Sequence, residues 1–334
     1  MNIIFDGNYL IHKSFGVWCT YYQDRKKTPE ENEEIIRLSL IDKKKREILV
    51  RKIIIDMCAT INRFKDIEKV IVVIDSHSWR YKYYENYKYA LTRNRGTYYE
   101  EFCSVIDEIE NLFRRKGLIV SRVDGAEGDD LLFAWSMYYS DIKREESVII
   151  TGDSDIRQIL NSRVALFNNN SKYLKIYCTK DKCLYWKNYF NNDIEVEGVN
   201  PIEILLYKVI VGDTSDNIPK FRKGIGKVTF NKFIKNISPT NIDVENISIE
   251  KLASYITKNI EKFFGISDYD NNYEKILFNL KMTWLSIEVY NKIAVYKDVR
   301  LIYRLIEDIN INKDKYSYNK KEYTLEYFYD LPIK

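Results

Sequence analysis

The stretch Val148–Leu160, VIITGDSDIRQIL, constrains the fold more than any other. A short β-branched run is followed by a tight glycine turn, two aspartates two positions apart, and a helix start. Such a run suits a strand covered on both faces in a parallel sheet. The residues just past the C-terminal end of such a strand are where open α/β sheets place their chemistry. From that turn Asp153 and Asp155 can point toward one cation. They equally suit capping of the next helix, with Asp153 or Ser154 as the cap.

Two other strands end the same way. Asn2–Phe5 runs into Asp6-Gly7-Asn8, and Lys69–Ile74 (KVIVVI) runs into Asp75. An aspartate in a turn needs no function, but acids ending successive parallel strands share one rim. Glu127, Asp129 and Asp130 open a helix whose apolar face is Leu131, Leu132, Trp135 and Tyr138. An acidic first turn complements the helix dipole, although one carboxylate suffices for that and three repel one another. Asp213 and Asp216, in GDTSDNIP, lie three apart and face the same way if helical. Between these acids, Leu49, Ile53, Met57 and Ile61 predict an amphipathic helix over Arg46–Arg63, laid on the sheet. Asp24–Lys45 is so charged that it reads as a solvated loop with some helix. Val164–Asn168 and Tyr173–Cys178 read as a hairpin.

Nine like charges converging without partners are strongly unfavourable. A pair of divalent cations resolves this, and oxygen ligands without His or Cys select Mg²⁺ or Mn²⁺. With two histidines and five irregularly spaced cysteines, the chain offers little for zinc and reads as holding free thiols in a reducing compartment. Two hard cations about 4 Å apart form a clamp for in-line attack of water on a phosphodiester. Removing the nine acids' charges from the chain's net +4 leaves +13, the footprint of a polyanionic substrate.

Two segments concentrate that charge. Arg80–Arg95 carries Arg80, Lys82, Lys88, Arg93 and Arg95 with one Glu, interleaved with Tyr81, Tyr83, Tyr84, Tyr87 and Tyr89. Basic groups for phosphates and aromatic faces for bases make a single-strand nucleic-acid track. A solvated helix with half-buried tyrosines has the same composition. Lys220–Lys235 holds six Lys or Arg and no acid, around Gly224-Ile225-Gly226, where backbone N–H groups can approach a phosphate beside Lys227. The remainder, Pro239–Lys334, reads as mostly helical and without chemistry. No 18-residue apolar run exists, and Asp6 interrupts the N-terminal apolar stretch, so neither a membrane span nor secretion is expected and the location expected is cytoplasmic.

These motifs together resemble the flap endonuclease and 5′→3′ exonuclease family, nearest its stand-alone phage members, including the phage RNase H that removes RNA primers. The resemblance runs through Ile3–Asn8, Val72–Asp75 with Trp79-Arg80, Tyr87-Lys88, Ala126–Asp130, Thr151–Asp155 and Gly212–Pro219 leading to Gly224–Gly226, within roughly residues 1–237. It implies an α/β fold, a central mainly parallel sheet flanked by helices (a PIN-like or Rossmann-like nuclease core), spanning 1–198 with a helical arch at about 77–105. Residues 199–334 would be a helical region with a helix–three-turn–helix element at about 205–237. It implies Asp6, Asp75, Glu127 and Asp129 around a first Mg²⁺ and Asp130, Asp153, Asp155, Asp213 and Asp216 around a second. Lys88 would contact the scissile phosphate, with Arg93 or Arg95 as its partner in catalysis. Arg80, Lys82, Tyr87, Lys88, Lys220, Arg222, Lys223, Gly224, Gly226 and Lys227 would bind nucleic acid, with a monovalent cation at the Gly224–Gly226 hairpin. The implied activity is cleavage of flaps, nicks or RNA–DNA junctions by a monomer working with replication proteins. A PIN-type RNase and a catalytically silent DNA-structure binder are the alternatives. The first would need neither the arch nor the basic hairpin, and the complete set of acids argues against the second.

Overall fold

The computed structural model describes residues 1–89, 96–168, 175–180, 183–188, 194–237, 239, 242–243 and 246–292. Its eight strands are β1 (Asn2–Asp6), β2 (Lys69–Val73), β3 (Ile119–Ser121), β4 (Ser147–Ile150), β5 (Val164–Asn168), β6 (Lys175–Lys180), β7 (Cys183–Asn188) and β8 (Ile194–Val199). They form one sheet in the order β3-β2-β1-β4-β5-β6-β7-β8. From β3 to β5 every pairing is parallel, and from β5 outward every pairing is antiparallel. The hairpin expected after Val164 therefore continues into two further strands, whose short apolar alternation is interrupted by Lys and Asn in β7 and by Glu in β8.

Period-2 alternation divides the core between the two faces of the sheet. Ile3 and Phe5 of β1, Val70 and Val72 of β2, and Val148 and Ile150 of β4 join one apolar cluster. Ile4, Ile71, Val73 and Ile149 join the other. Helices α1 (Gly7–Tyr22), α2 (Pro29–Ile41) and α3 (Lys43–Ile61) cover the first face. After the single turn α4 (Arg80–Tyr83), α5 (Tyr99–Arg115) completes that layer. The second face is covered by α6 (Gly128–Met137), α7 (Pro201–Val211), α8 (Lys227–Ile234), α9 (Ile249–Phe264), α10 (Tyr269–Thr283) and α11 (Ile287–Lys292).

The charged stretch after Asp24 is mostly helix rather than loop. Thr28 and Glu31 form a reciprocal capping box around Pro29 at the first turn of α2. That local signature outweighs the charge, because a helix tolerates a polar outer face. In α3, Leu49, Ile53, Met57 and Ile61 are all buried, as their spacing predicts. No helix among the described residues is long and apolar enough to cross a membrane.

The topology places the chemistry. From β1 the chain steps to β2 and β3 on one side, then returns to β4 on the other. The crevice at the C-terminal ends of β1 and β4 is thus a topological switch point, the usual ligand site of open α/β sheets. Asp6 ends β1, Asp75 follows β2, and Asp153 and Asp155 follow β4.

Candidate active site

Backbone and hydroxyl donors fix Asp6, Asp75 and Asp153 at the rim. Asp6 Oδ1 accepts from the Tyr9 N–H at 2.9 Å and Oδ2 from the Thr151 hydroxyl at 2.7 Å. Thr151 Oγ1 in turn accepts from the Asp153 N–H at 3.1 Å, and Asp153 Oδ1 from the Asp155 N–H at 2.7 Å. One threonine, at the head of the Thr151–Asp155 motif, therefore ties the ends of β1 and β4 together. Asp75 is placed by its neighbours on both sides: its N–H donates to Asn8 Oδ1 at 2.9 Å, and its Oδ1 accepts from the Gly128 N–H at 2.5 Å. A Cβ on Gly128 would lie 2.6 Å from that same oxygen, so any side chain at position 128 would push Asp75 off the rim.

The acids act on one another. Burial pushes the Asp6 carboxyl up to about 7, and Asp75 and Asp153 add repulsion against the Tyr9 and Thr151 hydrogen bonds. Burial raises Asp129 as well, with Asp153, Asp6 and Glu127 repelling it. Asp155 is pushed up to about 6 by burial, opposed by Lys208, with Asp153 and Asp213 repelling it. Burial also raises Asp216 against the attraction of Lys88 and Lys208. Carboxylates from five chain segments therefore share one field.

Two ammonium groups are held within it. Lys88 forms an ion pair with Glu127 and stands 3.8 Å from Asp216 Oδ1. Lys208 bridges Asp155 and Asp213, the latter at 2.5 Å. Burial works against both charges, yet the adjacent carboxylates hold both lysines above the usual range. Lys208 escapes motif reading. Its signal is a single lysine in the otherwise apolar run Ile204–Val211, one turn before Gly212-Asp213.

Arg80 and Asp130 lie elsewhere than expected. Arg80, expected along a nucleic-acid track, is 3% exposed. Its guanidinium forks onto Asp130 at 2.8 and 3.0 Å and onto Glu127 Oε2 at 2.8 Å, while Nε donates to the Met282 carbonyl. The physical reason is that burying Glu127 and Asp130 together requires a buried cation, and Arg80 can serve both carboxylates at once. Asp130, fully buried, is enclosed by Arg80 and by the Tyr290 hydroxyl at 2.7 Å, so it faces the core rather than the crevice. Glu127 Oε2 also accepts from Ser78 at 2.8 Å and Tyr87 at 2.9 Å. Burial would raise Glu127, but Arg80 and Lys88 hold its carboxyl well below the usual range. Tyr81, Tyr83 and Tyr84 pack around Tyr87, Ile218, Met282 and Phe278, which is the half-buried reading of these tyrosines. Lys82 is exposed. Arg93 and Arg95 lie outside the described residues.

The basic hairpin follows α7. Gly212, at φ 79°, ends the helix where a Cβ would meet the Ile218 carbonyl at 2.6 Å. Asp213 and Ile218 then exchange backbone hydrogen bonds, which turns Asp213 and Asp216 back toward the rim lysines. Phe221 and Ile225 anchor the loop in the core, leaving Lys220, Arg222, Lys223, Gly224 and Lys227 exposed and Gly226 as the N-cap of α8.

An all-oxygen donor set with surplus negative charge suits a hard divalent cation. With Lys88 and Lys208 bridging the acids, no group of three or more stands in ligand geometry among the described residues.

A sheet that is parallel from β3 to β5, with acids at its switch point and helices on both faces, is an open α/β fold of the kind that carries a site at that rim. Residues 1–185 match the sequence model of the 5′-3′ exonuclease N-terminal, resolvase-like domain, and the chain belongs to that family. It is 25% identical over 232 residues to the 5′-3′ exonuclease of Buchnera aphidicola, covering 68% of this chain and 72% of that protein. To the thermostable DNA polymerase I of Thermus thermophilus it is 31% identical over 173 residues, 51% of this chain and 18% of the polymerase. The fold is similar to bacteriophage T5 5′-exonuclease with bound zinc (TM-score 0.56, 17% identity, 92% of this chain and 98% of that one). It is similar to T5 flap endonuclease in complex with DNA and metal ions to the same extent (TM-score 0.56, 18% identity, 92% and 98%).

Proposed function

We propose that this chain is a Mg²⁺-dependent 5′-nuclease that hydrolyses phosphodiester bonds in flapped or nicked duplex DNA and in RNA–DNA hybrid with a 5′ single strand, clearing RNA primers or 5′ flaps in replication. The observation that carries the reading is the meeting of carboxylates from five chain segments at the switch point, bridged by two lysines. Asp6, Asp75, Glu127 and Asp129 would hold one divalent cation, and Asp153, Asp155, Asp213 and Asp216 a second. When bound, such ions neutralise charge at the phosphodiester. Asp130 would act by holding Arg80, and through it Glu127. The exposed Lys220–Lys227 hairpin would grip the duplex backbone.

Lys88 would exchange its carboxylates for the scissile phosphate, where an ammonium stabilises charge that grows during attack. Lys88→Ala should therefore lower kcat by about 10², the scale for one preorganised stabilising group. Binding in Ca²⁺ should barely change, and exposed Lys82→Ala should cost much less. Equal small losses from both would leave the segment a charged surface only. Binding should also weaken steeply with salt, and Lys223→Ala or Lys227→Ala should each reduce the log–log slope by about 1. An unchanged slope in both would move the duplex site elsewhere.

Cleavage of 5′-flap DNA, RNA–DNA hybrid and single-stranded RNA, compared side by side, tests the substrate assignment. The first two should be cut. Cutting of single-stranded RNA alone would mean a PIN-type RNase.

A further inference from the structure

We infer that the hydroxyl of Tyr290, on α11, is a positioning group for the acids of the active site; this rests on the nuclease reading above. Tyr290 is 2% exposed, and its hydroxyl donates to Asp130 Oδ1 at 2.7 Å. That oxygen also accepts from Arg80 Nη2 at 2.8 Å. The other Asp130 oxygen accepts from Arg80 Nη1 and from the Glu127 N–H, both at 3.0 Å. Arg80 Nη1 reaches on to Glu127 Oε2, and the second Glu127 oxygen pairs with Lys88 in the crevice. A buried relay thus runs Tyr290–Asp130–Arg80–Glu127, from the last described helix to the rim. A second hold comes from α10, whose Met282 carbonyl accepts from Arg80 Nε at 2.9 Å. Tyr290 and Met282 both lie beyond residues 1–185, the part that matches the family.

The geometry makes the hydroxyl consequential. A guanidinium forked between two carboxylates is directional, so turning Asp130 turns Arg80 and shifts Glu127. The phenol fixes Asp130 by supplying a second donor to Oδ1 in a site that water does not reach. Without it that oxygen keeps one donor, in a low-dielectric network where each bond counts for more than in water. Groups that orient functional carboxylates from behind matter by about 10–100-fold.

Tyr290→Phe tests this, because the ring keeps its contact with Phe133, at 5.7 Å between centroids. Single-turnover cleavage of a 5′-flap DNA should fall about 10-fold. Affinity for the same DNA in Ca²⁺ should not change. Mg²⁺ binding by calorimetry without DNA should weaken by a similar factor. Tyr269→Phe is the control: that hydroxyl meets Ser254 at the surface at 2.8 Å, and its loss should change none of the three. Unchanged cleavage and Mg²⁺ binding in Tyr290→Phe would overturn the inference. A lower melting temperature with an unchanged rate per folded molecule would overturn it too, leaving Tyr290 a brace. Absence of cleavage by the parent protein would instead remove the nuclease reading, and calorimetry would still decide the role of Tyr290.

Discussion

Asp153→Ala is expected to lower single-turnover cleavage by on the order of 10³ while leaving metal-free DNA binding nearly intact. The expectation follows from where Asp153 sits. Its Oδ1 accepts from the Asp155 N–H, its own N–H donates to the Thr151 hydroxyl, and its charge acts on Asp6, Asp129 and Asp155. Removing it weakens both proposed cation sites at once and frees the Asp155 turn. The proposed grip on nucleic acid is instead the exposed Lys220–Lys227 segment, which the substitution does not touch. Asp155→Ala should act alike, with Lys208 left holding Asp213 alone. A rate within a few-fold of the parent at millimolar Mg²⁺ would remove Asp153 from the machinery.

Arg80→Ala is expected to destabilise the fold by about 3–5 kcal/mol, the scale for breaking a buried ion pair from one side. Asp130 would be left without its cation, Glu127 with Lys88 alone, and the Met282 carbonyl without its donor from Arg80. The indole of Trp79, which lies 4.6 Å from the guanidinium, would lose that contact as well. Arg80→Lys should recover only part of the loss, because an ammonium cannot fork onto two carboxylates and a carbonyl together. Urea unfolding measures both variants. A loss under about 1 kcal/mol for Arg80→Ala, the level of a surface ion pair, would mean that the buried network does not hold this region together.

The rim was legible in the sequence because strand ends are. Three β-branched runs close on Asp6, Asp75 and the Asp153–Asp155 turn, and a parallel sheet brings such ends together whatever the helices between them look like. The acid-free hairpin around Gly224–Gly226 was legible for a similar reason, since charge exclusion over sixteen residues survives any fold. What composition could not separate was the use of one residue type in two environments. Arg80 and Lys82 stand two apart in the same basic run, yet one is buried in an ion-pair network and the other exposed. Tyr81, Tyr83 and Tyr84 in that run gave no sign of choosing Phe278 and Met282 as partners, because those residues arrive from nearly 200 positions away. Lys208 and Tyr290 were hidden for the same reason: each looks like an ordinary member of its helix until the partner segment is in place. The helix at Pro29 is a different case. Its Thr-Pro-Glu-Glu start is a local signal, obscured only by the surrounding charge.

The decisive measurement is the dependence of cleavage on metal. Single-turnover cleavage of a 5′-flap DNA, followed as Mg²⁺ is titrated into chelator-treated protein, should rise from no detectable cutting to a saturating rate. Release of the 5′ strand should track the metal, while DNA binding persists throughout. Cleavage that continues in excess chelator, or binding without cleavage at any Mg²⁺ or Mn²⁺ concentration, would contradict the assignment of these acids to a metal-dependent 5′-nuclease.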